Sequence, residues 1–103
     1  MQLNATGSSK NMEAYKTGKF FLDFSAVWCG PCRHIAPYWH SLEEEHGEKI
    51  KFIKYDVDTD REVAMLFQIQ AMPTFIAIID GEEIGRVRGA DKAGIDALLA
   101  KLL

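Results

Sequence analysis

Two hydrophobic rhythms run through the chain. Phe20, Phe21, Leu22 and Phe24 form a near-continuous apolar run within Lys19–Ser25, as expected of a central strand covered on both faces. Beyond it the rhythm lengthens. Ile35, Ala36, Trp39 and Leu42 recur at helical spacing over residues 33–46, and Gly47 marks the stop. Pro37 falls inside that pattern and is expected to kink the helix. Phe52, Ile53, Tyr55 and Val57 predict a second strand over 51–57. Thr59, with Glu62 three residues later, reads as a capping box opening a helix that presents Val63, Leu66 and Phe67. Thr74–Ile79 is strongly strand-forming, Asp80-Gly81 is a hairpin turn signal, and 83–88 is the returning strand. Gly89 breaks the pattern. Asp91 then caps a last helix whose Ile95, Leu98, Leu99 and Leu102 form one apolar stripe. Ahead of all this, residues 1–6 are only weakly strand-like. Ser8 or Ser9 could cap a brief helix with Met12 and Tyr15 on one face and Gly18 at its end.

The order β-α-β-α followed by β-β-α predicts an α/β fold: a mixed sheet sandwiched by helices. With no linker, repeat or low-complexity stretch, the 103 residues are expected to form one domain, 1–103.

Composition adds exclusions. A formal net charge of −3 with no basic cluster argues against nucleic acid as the partner. No apolar run approaches membrane-spanning length. Residues 1–10 lack a basic region followed by an apolar one, so no secretory signal is visible. Asn4-Ala5-Thr6 matches a glycosylation sequon, which is read as chance. A reducing, cytoplasmic compartment is the simplest reading.

The chemistry centres on Trp28-Cys29-Gly30-Pro31-Cys32, which holds both cysteines of the chain. As a staple the pair is poor, because a cross-link over so short a loop contributes about 2 kcal/mol at best. Short rings are often strained, and strained bridges are easily reduced. At a helix start, unsatisfied N–H groups and the helix dipole would favour a thiolate at Cys29. Pro31 suits a first turn that needs no donor N–H there, and Gly30 leaves the approach to Cys29 free of a side chain. Zinc is the competing reading, since Cys-x-x-Cys supplies half of many zinc sites and His34, His40 and His46 follow. But Cys32 to His40 is too short a gap for a zinc finger, no second Cys pair exists, and one continuous helix cannot converge these histidines on Cys29. The pair therefore reads as a redox-active dithiol.

Two further residues call for explanation. Asp23, inside Phe-Phe-Leu-Asp-Phe, is costly to bury unless paired or neutral. Buried near Cys32, it could take that thiol's proton, with Lys54 of the neighbouring strand as its partner. Pro73 precedes a strand. Proline there can be an ordinary boundary residue, or a cis bond that exposes backbone to a substrate strand.

These segments together resemble the thioredoxin family over almost the whole chain. The matching pieces are Asp23-Phe24-Ser25-Ala26, the five-residue cysteine motif, Pro37, Lys54-Tyr55-Asp56-Val57-Asp58, Met72-Pro73-Thr74-Phe75, Gly81 and Gly89. The resemblance implies a thioredoxin fold, with a central mixed sheet of four to five strands flanked by about four helices. It implies a protein-disulfide reductase in which Cys29 attacks and Cys32 resolves, Asp23 is the buried acid–base group and Lys54 assists it. Pro73 would be a cis-proline facing the dithiol, and Trp28, Gly30, Pro31, Met72 and Gly89 would border the substrate groove. No cofactor beyond the Cys29–Cys32 disulfide is implied. The implied partners are oxidised substrate proteins and a thioredoxin reductase as electron source, and the implied state is a monomer. Gly30-Pro31 resembles the reducing members, whereas disulfide isomerases usually carry histidine before the second cysteine. The alternatives are an oxidase or isomerase, and a non-enzymatic thioredoxin-fold or zinc-holding module. On the exposure of the two cysteines, Cys29 is expected to lie open to solvent and Cys32 to be covered.

Overall fold

The computed structural model describes residues 12–103. The weak strand expected over 1–6, the Ser8 and Ser9 caps and the Asn4 sequon lie outside the described residues. A short 3-10 helix, Glu13–Tyr15, precedes β1 (Lys19–Ser25), and Gly18 between them takes a left-handed φ of 105°. Then come α1 (Gly30–His46), β2 (Lys51–Asp56), α2 (Arg61–Leu66), β3 (Thr74–Ile79), β4 (Glu82–Arg88) and α3 (Lys92–Leu102).

The sheet order is β2-β1-β3-β4. β1 pairs in parallel with β2 and antiparallel with β3, so the sheet is mixed and the apolar run Phe20–Phe24 lies at its centre. The β3–β4 hairpin turns on Asp80 and Gly81, both at positive φ, the conformation that a tight hairpin turn demands. Its register shifts between Ala77 and Ile78.

Strand alternation divides the core in two. Phe21, Phe75 and Ala77 face one way, against Ile35, Trp39 and Leu42 of α1 and the full Ile95–Leu102 stripe of α3. Phe20, Leu22, Phe24, Ile76 and Ile78 face the other way, against Tyr15 and Phe67. Burying each large apolar side chain stabilises the fold by about 2 kcal/mol, so both layers are strongly held.

Helix α1 begins at Gly30 with Cys29 as its N-cap and Pro31 in its first turn, as the cysteine motif at a helix start requires, and its 17 residues include Pro37. One local expectation changes. The Thr59–Glu62 capping box does not form. Asp60 is the residue before α2, and no side chain caps it. Thr59 and Asp60 instead close a turn on the Asp56 carbonyl, and Asp60 Oδ2 accepts from the Asp56 amide at 2.9 Å. Among the described residues there are four strands, three α-helices and the 3-10 turn, against the four to five strands and about four helices expected.

Candidate active site

Leaving the centre of the sheet, β1 delivers the chain to the N-terminus of α1. Cys29 has extended backbone there, and Cys32 lies in the first helical turn. Their Cα atoms are 5.3 Å apart and their sulfurs form a disulfide. The Cys32 amide donates to Cys29 Sγ at 3.2 Å, satisfying one of the helix's free N–H groups with sulfur. Gly30 and Pro31 are exposed, and a Cβ on Gly30 would meet nothing within 4 Å. The approach over the motif is therefore open.

The second wall comes from far along the chain. Met72-Pro73 is a cis peptide immediately before β3. The Met72 carbonyl oxygen lies 3.8 Å from Cys29 Sγ, and the Met72 side chain packs with Val57 against the cysteine cluster. Gly89, at φ 99°, donates its amide to the Pro73 carbonyl at 2.7 Å. Trp28 stands 62% exposed at the rim, and its indole N–H donates to Asp58 Oδ2 at 2.8 Å. Trp28, Gly30, Pro31, Met72, Pro73 and Gly89 thus come from three separate stretches of sequence and gather at the dithiol end of the sheet.

One expectation is overturned. Cys29 and Cys32 are equally covered, each 5% exposed. Being first on the helix does not uncover Cys29, because Met72 and Val57 pack over the cluster.

Asp23 is 2% exposed, and its Oδ1 has no hydrogen-bond partner among the described residues. Strand alternation sends it to the same side of the sheet as Phe21, the side on which α1 lies. Burial pushes its carboxyl up from 3.8 to about 7, and the charge of Lys54 opposes that rise. Lys54 is its register neighbour on β2 and is itself exposed.

Two openings flank the dithiol. One, of about 730 Å³, is lined by Val57, Arg61, Met65, Ile69 and Met72 among others. The other, of about 480 Å³, reaches Cys32 between α1 and β2. Sequence reasoning missed Asp58 as the partner of Trp28, and it missed Met65, which is 76% exposed. For Asp58 the signal was its place in the Lys54–Asp58 string. For Met65 it was an apolar residue off the half-buried Val63, Ala64 and Leu66 face of α2. His34 and His40 are exposed on α1, and among the described residues no group of three or more His, Cys, Asp or Glu side chains is placed to hold a metal.

A disulfide capping a helix at the end of a mixed sheet, with a second strand's entry lying against one sulfur, defines a thiol–disulfide oxidoreductase. Comparison with known proteins agrees. The thioredoxin family profile matches residues 4–101. A thioredoxin H-type of Picea mariana is 44% identical over 95 residues, covering 91% of this chain and 75% of that protein. A TPR repeat-containing thioredoxin of Arabidopsis thaliana is 37% identical over 94 residues, and there the match spans 90% of this chain but only 24% of the relative. The X-ray structure of Fasciola hepatica thioredoxin superposes with a TM-score of 0.82 at 37% identity, covering 92% of this chain and 90% of that one. The chain belongs to the thioredoxin family.

Proposed function

We propose that this chain reduces disulfides in partner proteins, cycling Cys29 and Cys32 between dithiol and disulfide. The observation that carries the reading is the Cys32 amide on Cys29 Sγ at the N-terminus of α1. That N–H and the helix dipole stabilise negative charge on Cys29 and make it the attacking thiolate. Cys29 attacks one sulfur of the partner's disulfide, the partner's other sulfur leaves as thiolate, and a mixed disulfide forms. Cys32 loses its proton to the Asp23 carboxylate, attacks Cys29 Sγ, and releases the second partner thiol. A carboxyl raised to about 7 suits that exchange, being close to half-ionised at neutral pH. Lys54 tunes Asp23 by its charge.

Trp28, Gly30, Pro31, Met72, Pro73 and Gly89 form the docking rim. An extended partner segment lies along the backbone at Met72-Pro73, as strands dock on exposed backbone elsewhere. The disulfide itself carries the electrons, with no further cofactor. The electrons come from a thioredoxin reductase, and the chain works as a monomeric single domain in the cytoplasm. Among the described residues no helix is long and apolar enough to cross a membrane.

The test is insulin reduction, with a thioredoxin reductase supplying electrons. Catalytic precipitation of the insulin B chain, abolished by Cys29→Ser, is expected. A wild-type chain that leaves insulin intact overturns the reading.

A further inference from the structure

The groove of about 730 Å³ beside Met72 is continuous with the dithiol, because the Met72 carbonyl oxygen lies 3.8 Å from Cys29 Sγ. Its lining is mainly apolar, Met65, Ile69 and Met72 included, with Gln68 and Gln70 as neutral polar groups and Arg61 as the one charged residue. Among the described residues no carboxylate lines it, although the chain carries a formal net charge of −3. A second cation stands beside the same backbone. Arg88 ends β4 opposite Thr74, the residue after Pro73, and is exposed. Strand alternation puts its side chain on the face of the sheet that carries Ile76, Phe67 and α2. The ion pairs among the described residues engage neither arginine.

The nearby carboxylates are turned to other tasks. Asp58 accepts the Trp28 indole N–H, and Asp60 Oδ2 accepts the Asp56 amide and lines the opening beside Cys32. Glu62 is exposed in the first turn of α2 and does not line the groove.

We propose that the groove selects oxidised partner proteins carrying acidic residues beside the cysteine that Cys29 attacks, with Arg61 and Arg88 as the selecting residues. The inference rests on the disulfide-reductase reading and adds a substrate class to it. Met65 and Met72 have long, unbranched side chains that adapt to many apolar shapes, so the apolar lining discriminates weakly. A charge of fixed sign discriminates better. A guanidinium is always ionised and can pair with a carboxylate through two parallel N–H groups. A basic residue at the same place on a partner meets like charge and slows the encounter. The selection therefore acts on formation of the mixed disulfide, before Cys32 attacks.

The experiment uses the pre-reduced full chain and three disulfide-linked peptide homodimers. Each peptide has blocked termini and a leucine beside its cysteine, and the neighbouring positions hold glutamate, glutamine or lysine. One turnover moves two electrons: the chain's dithiol becomes the Cys29–Cys32 disulfide, and the homodimer becomes two peptide thiols. Chromatography of acid-quenched samples gives the second-order rate constant. Each is divided by that for dithiothreitol, a thiolate attacker with no groove. At low salt the glutamate peptide should lead the glutamine peptide about fourfold, as two exposed ion pairs of about twofold each give. The lysine peptide should be the slowest. In 0.5 M sodium chloride the acidic preference should shrink below twofold. Equal rates at low salt, a fastest lysine peptide, or an acidic preference undiminished by salt overturns the proposal. Arg61→Glu and Arg88→Glu together should make the lysine peptide the fastest, and an acidic preference kept by that double variant overturns the assignment to these arginines. The wild-type rates and their salt dependence stand whether or not the variant folds. If neither insulin nor any peptide is reduced, the redox reading itself falls. If insulin and all three peptides are reduced, the peptides at equal rates, only the charge selection falls.

Discussion

Asp23 and Lys54 are register neighbours across the parallel β1–β2 pair, yet one is sealed in the core and the other is exposed. The ammonium group is thus solvated at the margin, while the carboxylate bears the cost of burial alone. No salt bridge joins them among the described residues, and Asp23 Oδ1 is unpartnered. This imbalance makes Asp23 titrate near neutrality.

A stability profile follows for Asp23→Asn. The carboxyl rises from 3.8 to about 7 on folding, so the folded state holds the proton more tightly than the unfolded state. Stability is therefore undiminished by this group below about pH 4. It falls as pH rises towards 7, and the full cost, about 4 kcal/mol at most, is present above pH 7. Asp23→Asn should match the wild type near pH 4 and exceed it increasingly up to pH 8 in urea unfolding. It should also slow release of the mixed disulfide. A stability difference that does not change with pH would contradict the raised carboxyl.

Lys54→Met removes the charge that holds the Asp23 carboxyl down. The carboxyl should then titrate higher still, as read by NMR of the Asp23 side chain. The pH limb of mixed-disulfide resolution should move to higher pH with it. Near pH 4, where Asp23 is protonated in both chains, the variant should be as stable as the wild type. A titration that stays in place would separate Lys54 from Asp23.

The two cysteine variants should behave differently even though both sulfurs are covered alike. Cys32→Ser keeps the backbone amide that stabilises Cys29, so its attacker stays active and has no resolving partner. It should accumulate as a covalent complex with insulin, visible on a non-reducing gel and dissolved by dithiothreitol. Cys29→Ser should trap at least tenfold less. Equal trapping by both would reverse the assignment of attacker and resolver.

Gly89→Ala tests the back of the proposed docking rim. A Cβ there would meet nothing, but φ is 99°, a conformation that L side chains rarely adopt. The substitution should cost about 1–2 kcal/mol of stability. It should also weaken insulin docking, because the Gly89 amide holds the Pro73 carbonyl. A rise in KM with kcat near the wild-type value is the expected signature. Unchanged stability would mean the backbone relaxes out of that conformation.

Asp58→Ala frees the indole of Trp28. Loss of one exposed hydrogen bond should cost no more than about 1 kcal/mol. Trp28 fluorescence anisotropy should fall and KM for insulin should rise. An unaltered anisotropy would show that the indole is held by something other than Asp58.

Much of this architecture was legible because the core obeys simple periods. β1 and β3 have the expected limits, and the α3 stripe is buried at all four positions. Asp23 was legible as an anomaly, a charge where the pattern allows only apolar residues. What could not be read locally depends on contacts between distant residues. Cys29 is covered by Met72, 43 positions later, so its helical position alone gave the wrong exposure. Thr59 had the sequence of a cap, but the carbonyl of Asp56 and the side chain of Asp60 settled that turn another way. Trp28 and Asp58 meet across 30 positions, with no local signal of their bond.

The antiparallel pairing of β1 with β3 also decides when in the life of the chain the site exists. The cysteine motif ends at Cys32, but Met72 and Pro73 reach it only once Thr74–Ile79 has zipped alongside Lys19–Ser25. A chain still emerging from the ribosome carries the two thiols long before it carries a groove to direct them. Such non-local pairings also tend to form slowly. The groove proposed to receive partners is therefore assembled later in synthesis than the two thiols it would direct.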